Sequence, residues 1–321
     1  MTERTSGVGR TAIVFPGMGP SRFAEVGRFM MVSPFARRRL AEADAALGYS
    51  VLDALRAAGD GYTEVSQIAF VVNSLAMADW AEHTLGHRPQ LCVGPSFGER
   101  AATAYSGAMP FAELVRLTAE LAACEVDYYR TEQQDLVSQF IVRTPLERLE
   151  EVLAGMTERG EWHEVSAYFD QDVHLVTMAE EHLEGFKQQV RDRGGYSLTT
   201  MRPPAHAQVL QPLRKRMQDE VFPRFSFDAP ALPVVSDQDG SLVTTGSDVR
   251  TMLVDSVVNQ VHWGQITRTL LEQGVTRLCV AGPDLLIHRL GTLKKNFELV
   301  SVGPKDAMRP RRPARRHLLA S

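Results

Sequence analysis

The 321-residue sequence contains few cysteines and no long apolar run. Its three cysteines, Cys92, Cys124 and Cys279, are widely spaced within apolar sequence, which is typical of buried thiols in a reducing compartment. No stretch approaches the roughly eighteen consecutive apolar residues of a membrane helix, and the first residues lack the basic-then-apolar plan of a signal peptide. We therefore expect a cytoplasmic protein without a membrane partner.

Metal-ligand spacings such as C-x-x-C and H-E-x-x-H are absent as well, so no metal site is predicted. The net charge is only −4, but five arginines lie within the last thirteen residues: Arg309, Arg311, Arg312, Arg315 and Arg316. We interpret residues 305–321 as a solvated basic tail. Steering of an acidic partner or of nucleic acid is the alternative, although nothing else resembles a nucleic-acid-binding module and we expect no nucleic-acid partner.

The most informative stretch is Gly94-Pro95-Ser96-Phe97-Gly98, which follows the apolar run Leu91-Cys92-Val93 and precedes an alanine-rich segment. A strand that passes through glycines into a helix is the setting of a nucleophile elbow, in which a serine occupies a tight, strained turn with its hydroxyl exposed. The same spacing also arises by chance, so the pentapeptide alone leaves an ordinary turn as the alternative. Ser96 is the candidate nucleophile.

Predicted strands and helices alternate along most of the chain. A strand at 11–15 runs into a glycine-rich loop, strands at 232–236 and 277–280 are separated by helices, and a helix is predicted at 285–293. From about residue 134 to 200 the order becomes β-α-β-β-α-β, which is typical of a ferredoxin-like unit. We predict an α/β fold: a three-layer, α/β-hydrolase-like large domain (residues 1–132 and 201–300) with an inserted ferredoxin-like subdomain (residues 133–200).

Five short blocks occur in a fixed order: Phe15-Pro16-Gly17-Met18-Gly19, residues 94–99, Pro204-Ala205-His206, Pro233-Val234-Val235-Ser236 and Asn259-Gln260-Val261-His262-Trp263. They resemble the F-P-G-Q-G, G-H-S-L-G-E, P-F-H, P-V-V-x-N and N-P-V-x-W segments of malonyl-CoA:acyl-carrier-protein transacylases and polyketide synthase acyltransferase domains. The resemblance extends from about Thr11 to Asn296. It implies the fold predicted above and an acyltransferase activity.

The resemblance further implies a catalytic dyad of Ser96 and His206. Imidazole suits the base, because it titrates near neutrality and can take the serine proton and return one to a thiol. Backbone groups complete the implied site: a carbonyl near Ser256 and Val257 orients the histidine, and the N–H groups of Met18 and Phe97 form the oxyanion hole.

Three departures from the family's pattern concern the acyl pocket. Aligning Val115-Arg116-Leu117 with the family's V-R-L segment places Leu121 where carboxylated-extender enzymes carry the arginine that pairs with the malonyl carboxylate. Pro95 replaces the histidine before the serine, and Ala205 replaces a larger residue before the catalytic histidine. These changes predict a drier, roomier pocket that suits a non-carboxylated acyl group, such as an aminoacyl group or an unusual starter unit.

We therefore expect acyl transfer from a carrier-protein or CoA thioester to an acyl carrier protein in polyketide or other secondary-metabolite biosynthesis, by a protein that is a monomer. Open alternatives are a thioester hydrolase on the same dyad, a malonyl-CoA:acyl-carrier-protein transacylase, an unrelated esterase and a non-catalytic carrier-protein binder. No bound cofactor is expected, because the substrates carry their own phosphopantetheine. Carrier proteins are acidic, so the candidate docking residues are basic, although each also suits an ordinary solvated surface: Arg202, Arg214, Lys215, Arg216, Lys294 and Lys295.

Overall fold

The computed structural model of the protein describes residues 9–59, 61–132 and 135–309. The first part of the chain forms β1 (Arg10–Val14), α1 (Phe23–Val32), α2 (Pro34–Leu47), α3 (Val51–Ala57), α4 (Glu64–Leu85), β2 (Leu91–Val93), α5 (Gly98–Tyr105) and α6 (Phe111–Thr131). The middle part forms β3 (Leu136–Val142), α7 (Leu146–Glu158), β4 (His163–Asp170), β5 (Val173–Ala179), α8 (Leu183–Asp192) and β6 (Tyr196–Met201). The last part forms α9 (Gln211–Glu220), β7 (Val234–Val235), β8 (Leu242–Val243), α10 (Gly246–Asp255), β9 (Val261–His262), α11 (Trp263–Glu272), β10 (Val275–Ala281), α12 (Gly291–Asn296), β11 (Glu298–Val302) and α13 (Pro304–Met308).

The large domain is built on a six-stranded sheet with the order β11-β10-β1-β2-β7-β8. Its first five strands are parallel, and β8 pairs antiparallel with β7. Side chains of β1 alternate between two cores: Ile13 packs in the core on one face, and Ala12 and Val14 pack in the core on the other. A parallel sheet buried on both faces is the three-layer arrangement that the sequence predicts.

The middle part of the chain forms a small domain around a second sheet with the order β6-β3-β5-β4-β9. Its own four strands have the antiparallel order of a ferredoxin-like fold, with α7 and α8 packed against them. The fifth strand, β9, comes from the large domain and pairs parallel with β4 through Ala167–Val261 and Tyr168–His262. This shared strand joins the small domain to the segment that precedes α11.

The long helix α4 shows how local signals define an element. The Thr63 hydroxyl accepts the Ser66 N–H at 3.2 Å, and the Ser66 hydroxyl accepts the Thr63 N–H at 2.9 Å, which forms a reciprocal cap. Gly86, with φ of 69°, ends the helix in the left-handed region. Most of α4 is buried between the sheet and its neighbouring helices, so it supplies the centre of the larger core.

The prediction of one continuous helix at residues 285–293 is wrong. A 3₁₀ turn at Ile287–Arg289 and the short α12 stand in its place. The Asp284 carboxylate accepts the N–H groups of residues 286, 287 and 288 at 2.8–2.9 Å, and this bonding favours a tight turn over a continuous helix.

The predicted basic tail lies almost entirely outside the described residues, including Arg311, Arg312, Arg315 and Arg316. Arg309 is exposed and pairs with Asp306 at 3.4 Å. Within the described ranges, no helix has both the length and the apolar character needed to cross a lipid bilayer.

Candidate active site

Ser96 lies on a sharp turn between β2 and α5, with φ of 56° in the left-handed region. A Cβ on Gly94 would lie 2.1 Å from the carbonyl oxygen of Gly98, and a Cβ on Gly98 would lie 2.2 Å from that of Phe15. Both positions therefore require glycine. The strained serine and the two crowded glycines have the geometry of a nucleophile elbow.

We expect Gly98→Ala to destabilise the protein by about 2–4 kcal/mol, because the added methyl group meets rigid backbone rather than a flexible side chain. The measurement is the free energy of unfolding in urea. Gly185→Ala is the matched control: Gly185 is exposed on α8, and a Cβ there would meet no atom within 4 Å, so alanine should stabilise the helix by about 0.5–1 kcal/mol. Equal effects at both glycines would contradict the crowding at the elbow.

His206 lies next to Ser96, although the two residues are 110 positions apart in the sequence. Its Nε2 is 2.7 Å from Ser96 Oγ, and its Nδ1 is 3.2 Å from the carbonyl oxygen of Asn259. A carbonyl can only accept a hydrogen bond, so Nδ1 carries the proton and Nε2 is left as the acceptor that faces the serine hydroxyl. This is the arrangement that proton abstraction from Ser96 requires.

The carbonyls of Asn259 and Ser256 both face the His206 ring, and the one that His206 Nδ1 reaches at hydrogen-bond distance is that of Asn259. The resemblance implied a carbonyl near Ser256 and Val257, whereas the hydrogen bond goes to Asn259. After α10 ends, the N–H groups of residues 258 and 259 both donate to the carbonyl of Asp255, and this tight turn brings the Asn259 carbonyl to the histidine. The Ser256 carbonyl still contributes to the electrostatics of the ring, and Val257 lines the adjacent cavity.

Burial lowers the pKa of His206, while the charge of Asp237 and the carbonyls of Asn259 and Ser256 oppose that shift. Only 5% of the residue is exposed. The ring is therefore neutral at neutral pH, which is the protonation state that a general base needs.

A cavity of about 510 Å³ opens between the large and small domains, and Ser96 and His206 are among the residues that line it. Its wall is predominantly apolar, and its lining includes Leu121, Phe140, Phe169, Leu198, Met217 and Leu286. Such a cavity can accommodate an acyl chain and a pantetheine arm.

Of the predicted site residues, Met18, Phe97, Leu121 and Ala205 all line this cavity. The loop that carries Met18 lies beside the elbow, since a Cβ on Gly17 would be in ordinary van der Waals contact with the Cβ of Ser96 at 3.5 Å. Pro95 does not line the cavity as expected. It is buried, and its carbonyl accepts the Gly98 N–H at 3.0 Å as the first residue of the turn, which places it behind the serine.

A buried polar cluster that lies at the cavity wall was not predicted from the sequence. Arg100 donates to Gln67 Oε1 at 2.8 Å, lies 3.7 Å from the Glu125 carboxylate and stacks over the Phe97 ring at 4.3 Å. Burial raises the pKa of Glu125, and the charge of Arg100 and the hydrogen bond from Gln67 oppose that shift. One signal was available: Leu121 and Glu125 are one helical turn apart and therefore share a face of α6.

The candidate docking residues occupy two different settings. Arg202 lines the cavity and pairs with Glu180, and the three basic residues of α9 also hold ion pairs: Arg214 with Asp255, Lys215 with Asp219, and Arg216 with Asp127 and Glu220. Lys294 and Lys295 are exposed at the end of α12. A partner that bound α9 would have to exchange existing ion pairs, whereas the α12 lysines project into solvent.

Comparisons with known sequences find similarity to acyltransferases. Residues 140–201 match a family model described as the VinK acyltransferase small domain. The chain is 28% identical over 295 residues to the malonyl CoA-acyl carrier protein transacylase of Escherichia coli O157:H7, covering 87% of this chain and 91% of that protein. It is 26% identical over 324 residues to the polyketide biosynthesis protein ThaF of Burkholderia thailandensis, covering 99% of this chain and 27% of that longer protein.

Solved structures show the same fold. The malonyl CoA-acyl carrier protein transacylase of Coxiella burnetii superimposes with a TM-score of 0.81 at 20% identity, covering 93% of this chain and 96% of that chain. A malonyl-transacylase solved in complex with a type II polyketide synthase acyl-carrier protein gives a TM-score of 0.79 at 20% identity, covering 91% and 96%. The predicted α/β fold with its ferredoxin-like subdomain is thereby confirmed.

Proposed function

We propose that this chain, an enzyme of the acyltransferase class, transfers a non-carboxylated acyl group from a carrier-protein or CoA thioester to an acyl carrier protein through an acyl-serine at Ser96. The observation that carries the proposal is the apolar cavity around Ser96 and His206, in which Leu121 lines the wall. Aminoacyl groups and unusual starter units are the acyl groups that suit such a cavity. The similarity to a polyketide biosynthesis protein supports a role in the assembly of polyketides or other secondary metabolites.

The hydrogen bond between Ser96 and His206 defines the first half-reaction. Ser96 Oγ attacks the thioester carbonyl while His206 Nε2 takes its proton, and the N–H groups of Met18 and Phe97 stabilise the oxyanion. The tetrahedral intermediate collapses, the carbon–sulfur bond breaks, and the thiol leaves with the proton from His206. The product is an acyl ester of Ser96.

The second half-reaction reverses these steps with a new thiol. The phosphopantetheine thiol of the carrier protein gives its proton to His206 and attacks the ester carbonyl, and Ser96 leaves with the proton that His206 returns. The hydrogen bond from Nδ1 to the Asn259 carbonyl keeps the ring in one orientation through both halves. One base therefore serves both thiols.

Selectivity against malonyl follows from the charges already present in the cavity. Among the described residues, the arginines that line it are Arg100 and Arg202, and they pair with Glu125 and Glu180 respectively. A malonyl carboxylate that faced Leu121 would lose its hydration without gaining a free guanidinium partner, at a cost of about several kcal/mol. A neutral acyl chain avoids this cost.

Malonyl transfer is the second candidate, because several relatives are named malonyl CoA-acyl carrier protein transacylases. It would require Arg100 to turn from Glu125 toward the substrate. That exchange would leave a buried carboxylate without its cation, unless Glu125 takes up a proton.

The carrier protein is expected to approach the mouth of the cavity, where Arg202 lies. Carrier proteins are acidic, and the complex of a structural relative with its acyl-carrier protein supports a partner of this kind. Lys294 and Lys295 are the exposed basic residues that we propose as further contacts.

Timed product analysis distinguishes transfer from hydrolysis. With an acyl thioester donor and a carrier protein bearing phosphopantetheine, we expect one acyl-carrier protein for each thiol released, because the apolar cavity limits the access of water to the acyl-serine. Thiol release and acyl-carrier protein are measured on the same sample by a thiol reagent and by intact mass. Release without transfer would support a hydrolase instead, and Ser96→Ala should lose both signals.

A further inference from the structure

Two buried carboxyl groups lie beside the nucleophile elbow and are not used by the dyad described above. Asp237 follows β7, which is paired with β2 in the register Val93–Val235, so both strands end at the same edge of the sheet. Its Oδ2 accepts the Ser96 N–H at 2.5 Å. Glu99 lies on the first turn of α5, directly after the elbow. Asp237 and Glu99 are only 1% and 2% exposed.

Three oxygens of this pair lack conventional hydrogen-bond donors. By distance and angle, no N–H or hydroxyl group of the described residues is hydrogen-bonded to either oxygen of Glu99 or to Oδ1 of Asp237, although the side chains of Ser256 and Gln238 lie close enough to Glu99 to oppose the rise in its pKa. Two buried carboxylates in this state would each carry a large desolvation cost. A single proton held between them satisfies both groups, because a carboxylic acid can donate to a neighbouring carboxylate.

The proton belongs on Glu99. Burial and then the charge of Asp237 raise the pKa of Glu99 well above its ordinary value. Burial also raises the pKa of Asp237, but that shift is opposed by a hydrogen bond from Glu99, by the charge of His206 and by the Ser96 N–H. The negative charge therefore resides on Asp237, on the side of the pair that faces the dyad.

Asp237 is held in place from several elements. Its backbone carbonyl accepts the N–H of His262 from β9 at 2.7 Å. The titratable groups that face its carboxylate are Glu99 from α5, His206 from the loop after β6 and His262 from β9, and burial lowers the pKa of both histidines while Asp237 opposes that shift. Asp237 is thus the anion that both histidines share.

We propose that Glu99 and Asp237 share one proton beneath the elbow and that Asp237 is a positioning residue, whose charge fixes the Ser96 amide and stabilises the imidazolium that His206 becomes during acyl transfer. The inference rests on the proposed roles of Ser96 and His206. It supplies the dyad with a buried anion that is not one of the hydrogen-bond partners of the histidine ring. The Asp237 carboxylate stabilises the imidazolium through space, and the Asn259 carbonyl sets the tautomer of His206.

Two conservative variants separate this role from a structural one. Glu99→Gln keeps a hydrogen-bond donor toward Asp237 and leaves the negative charge of Asp237 in place. The rate at which a fluorophosphonate labels Ser96 should therefore stay within about 3-fold of wild type. Asp237→Asn keeps an acceptor for the Ser96 N–H but removes the charge at that position. It should slow labelling by about 10- to 100-fold and move the acid limb of the pH profile to lower pH, since the pKa of His206 falls when the neighbouring anion is lost.

The infrared spectrum gives a readout that does not depend on reactivity. Wild type at neutral pH should show a protonated-carboxyl band that Glu99→Gln removes, and far-UV circular dichroism checks that both variants are folded. If the band is absent from the difference between the wild-type and Glu99→Gln spectra, the proposal of a shared proton is overturned. Equal slowing of Ser96 labelling in the two variants would overturn it as well. If the band is present but fluorophosphonate does not label wild-type Ser96, the proposed dyad fails while the shared proton is supported.

Discussion

Replacing His206 with alanine should slow the acylation of Ser96 by about 10³- to 10⁴-fold. Nε2 of His206 is 2.7 Å from Ser96 Oγ, and no other side chain is hydrogen-bonded to that hydroxyl among the described residues. Without the imidazole, the hydroxyl must lose its proton to water. The oxyanion hole and substrate binding remain, which leaves residual activity above background.

The measurement is the single-turnover rate of acyl-enzyme formation, followed by intact mass. His83→Ala is a suitable control, since His83 is exposed near the end of α4, far from Ser96 in the fold, and its loss should leave the rate within about 2-fold of wild type. Ser96→Ala should show no adduct. Retention of more than about a tenth of the wild-type rate in His206→Ala would contradict the assignment of the base.

The same histidine sets the expected pH dependence. Because burial lowers the pKa of His206 from 6.5, the ring remains a neutral base in mildly acidic solution. The acid limb of the acylation profile should therefore lie below pH 6.5. An acid limb above that value would mean that the charge of Asp237 outweighs burial.

The second large effect concerns Leu121, which we expect to select against carboxylated acyl groups. Leu121→Arg should raise the ratio of malonyl to acetyl loading by about 30- to 100-fold, because a guanidinium at this point of the cavity wall can pair with the malonyl carboxylate. Part of the gain is offset by the cost of burying the new charge and by Glu125, one turn away on the same face of α6.

Leu121→Met is the matched variant, because it conserves volume and adds no charge. Its ratio should stay within about 3-fold of wild type. Both ratios are obtained from acylation rates with malonyl and acetyl thioesters. If Leu121→Arg leaves the ratio unchanged while the protein remains folded, Leu121 does not lie where the acyl group ends.

The sequence predicts this fold well wherever local signals and the core agree. Helix α4 begins after the Thr63 cap and ends at Gly86, because its cap, its apolar spacing and its terminal glycine all act within the segment. The two-residue strands β8 and β9 have no such signal, since they exist through pairing with distant partners. The predicted helix at 285–293 failed because a single carboxylate, Asp284, bonds the backbone differently.

The residues of the candidate site also divide into those marked by local sequence and those set by tertiary packing. Ser96 and His206 could be proposed because short motifs mark them, and the structure places them in hydrogen-bond contact. The pairing of Arg100 with Glu125, and of Glu99 with Asp237, depends on how α5, α6 and β7 pack together. A charged residue in an apolar helix is a visible signal, but its partner is set by tertiary structure.

The central claim is that Ser96 accepts a non-carboxylated acyl group, and the most direct measurement is the mass added to the protein by a panel of acyl thioesters. Equal concentrations of malonyl, acetyl and aminoacyl donors are offered separately to wild type and to Ser96→Ala. We expect adducts from acetyl or aminoacyl donors, mapped to Ser96, with malonyl loading at least about 10-fold slower. Preferred loading of malonyl on Ser96 would contradict the account.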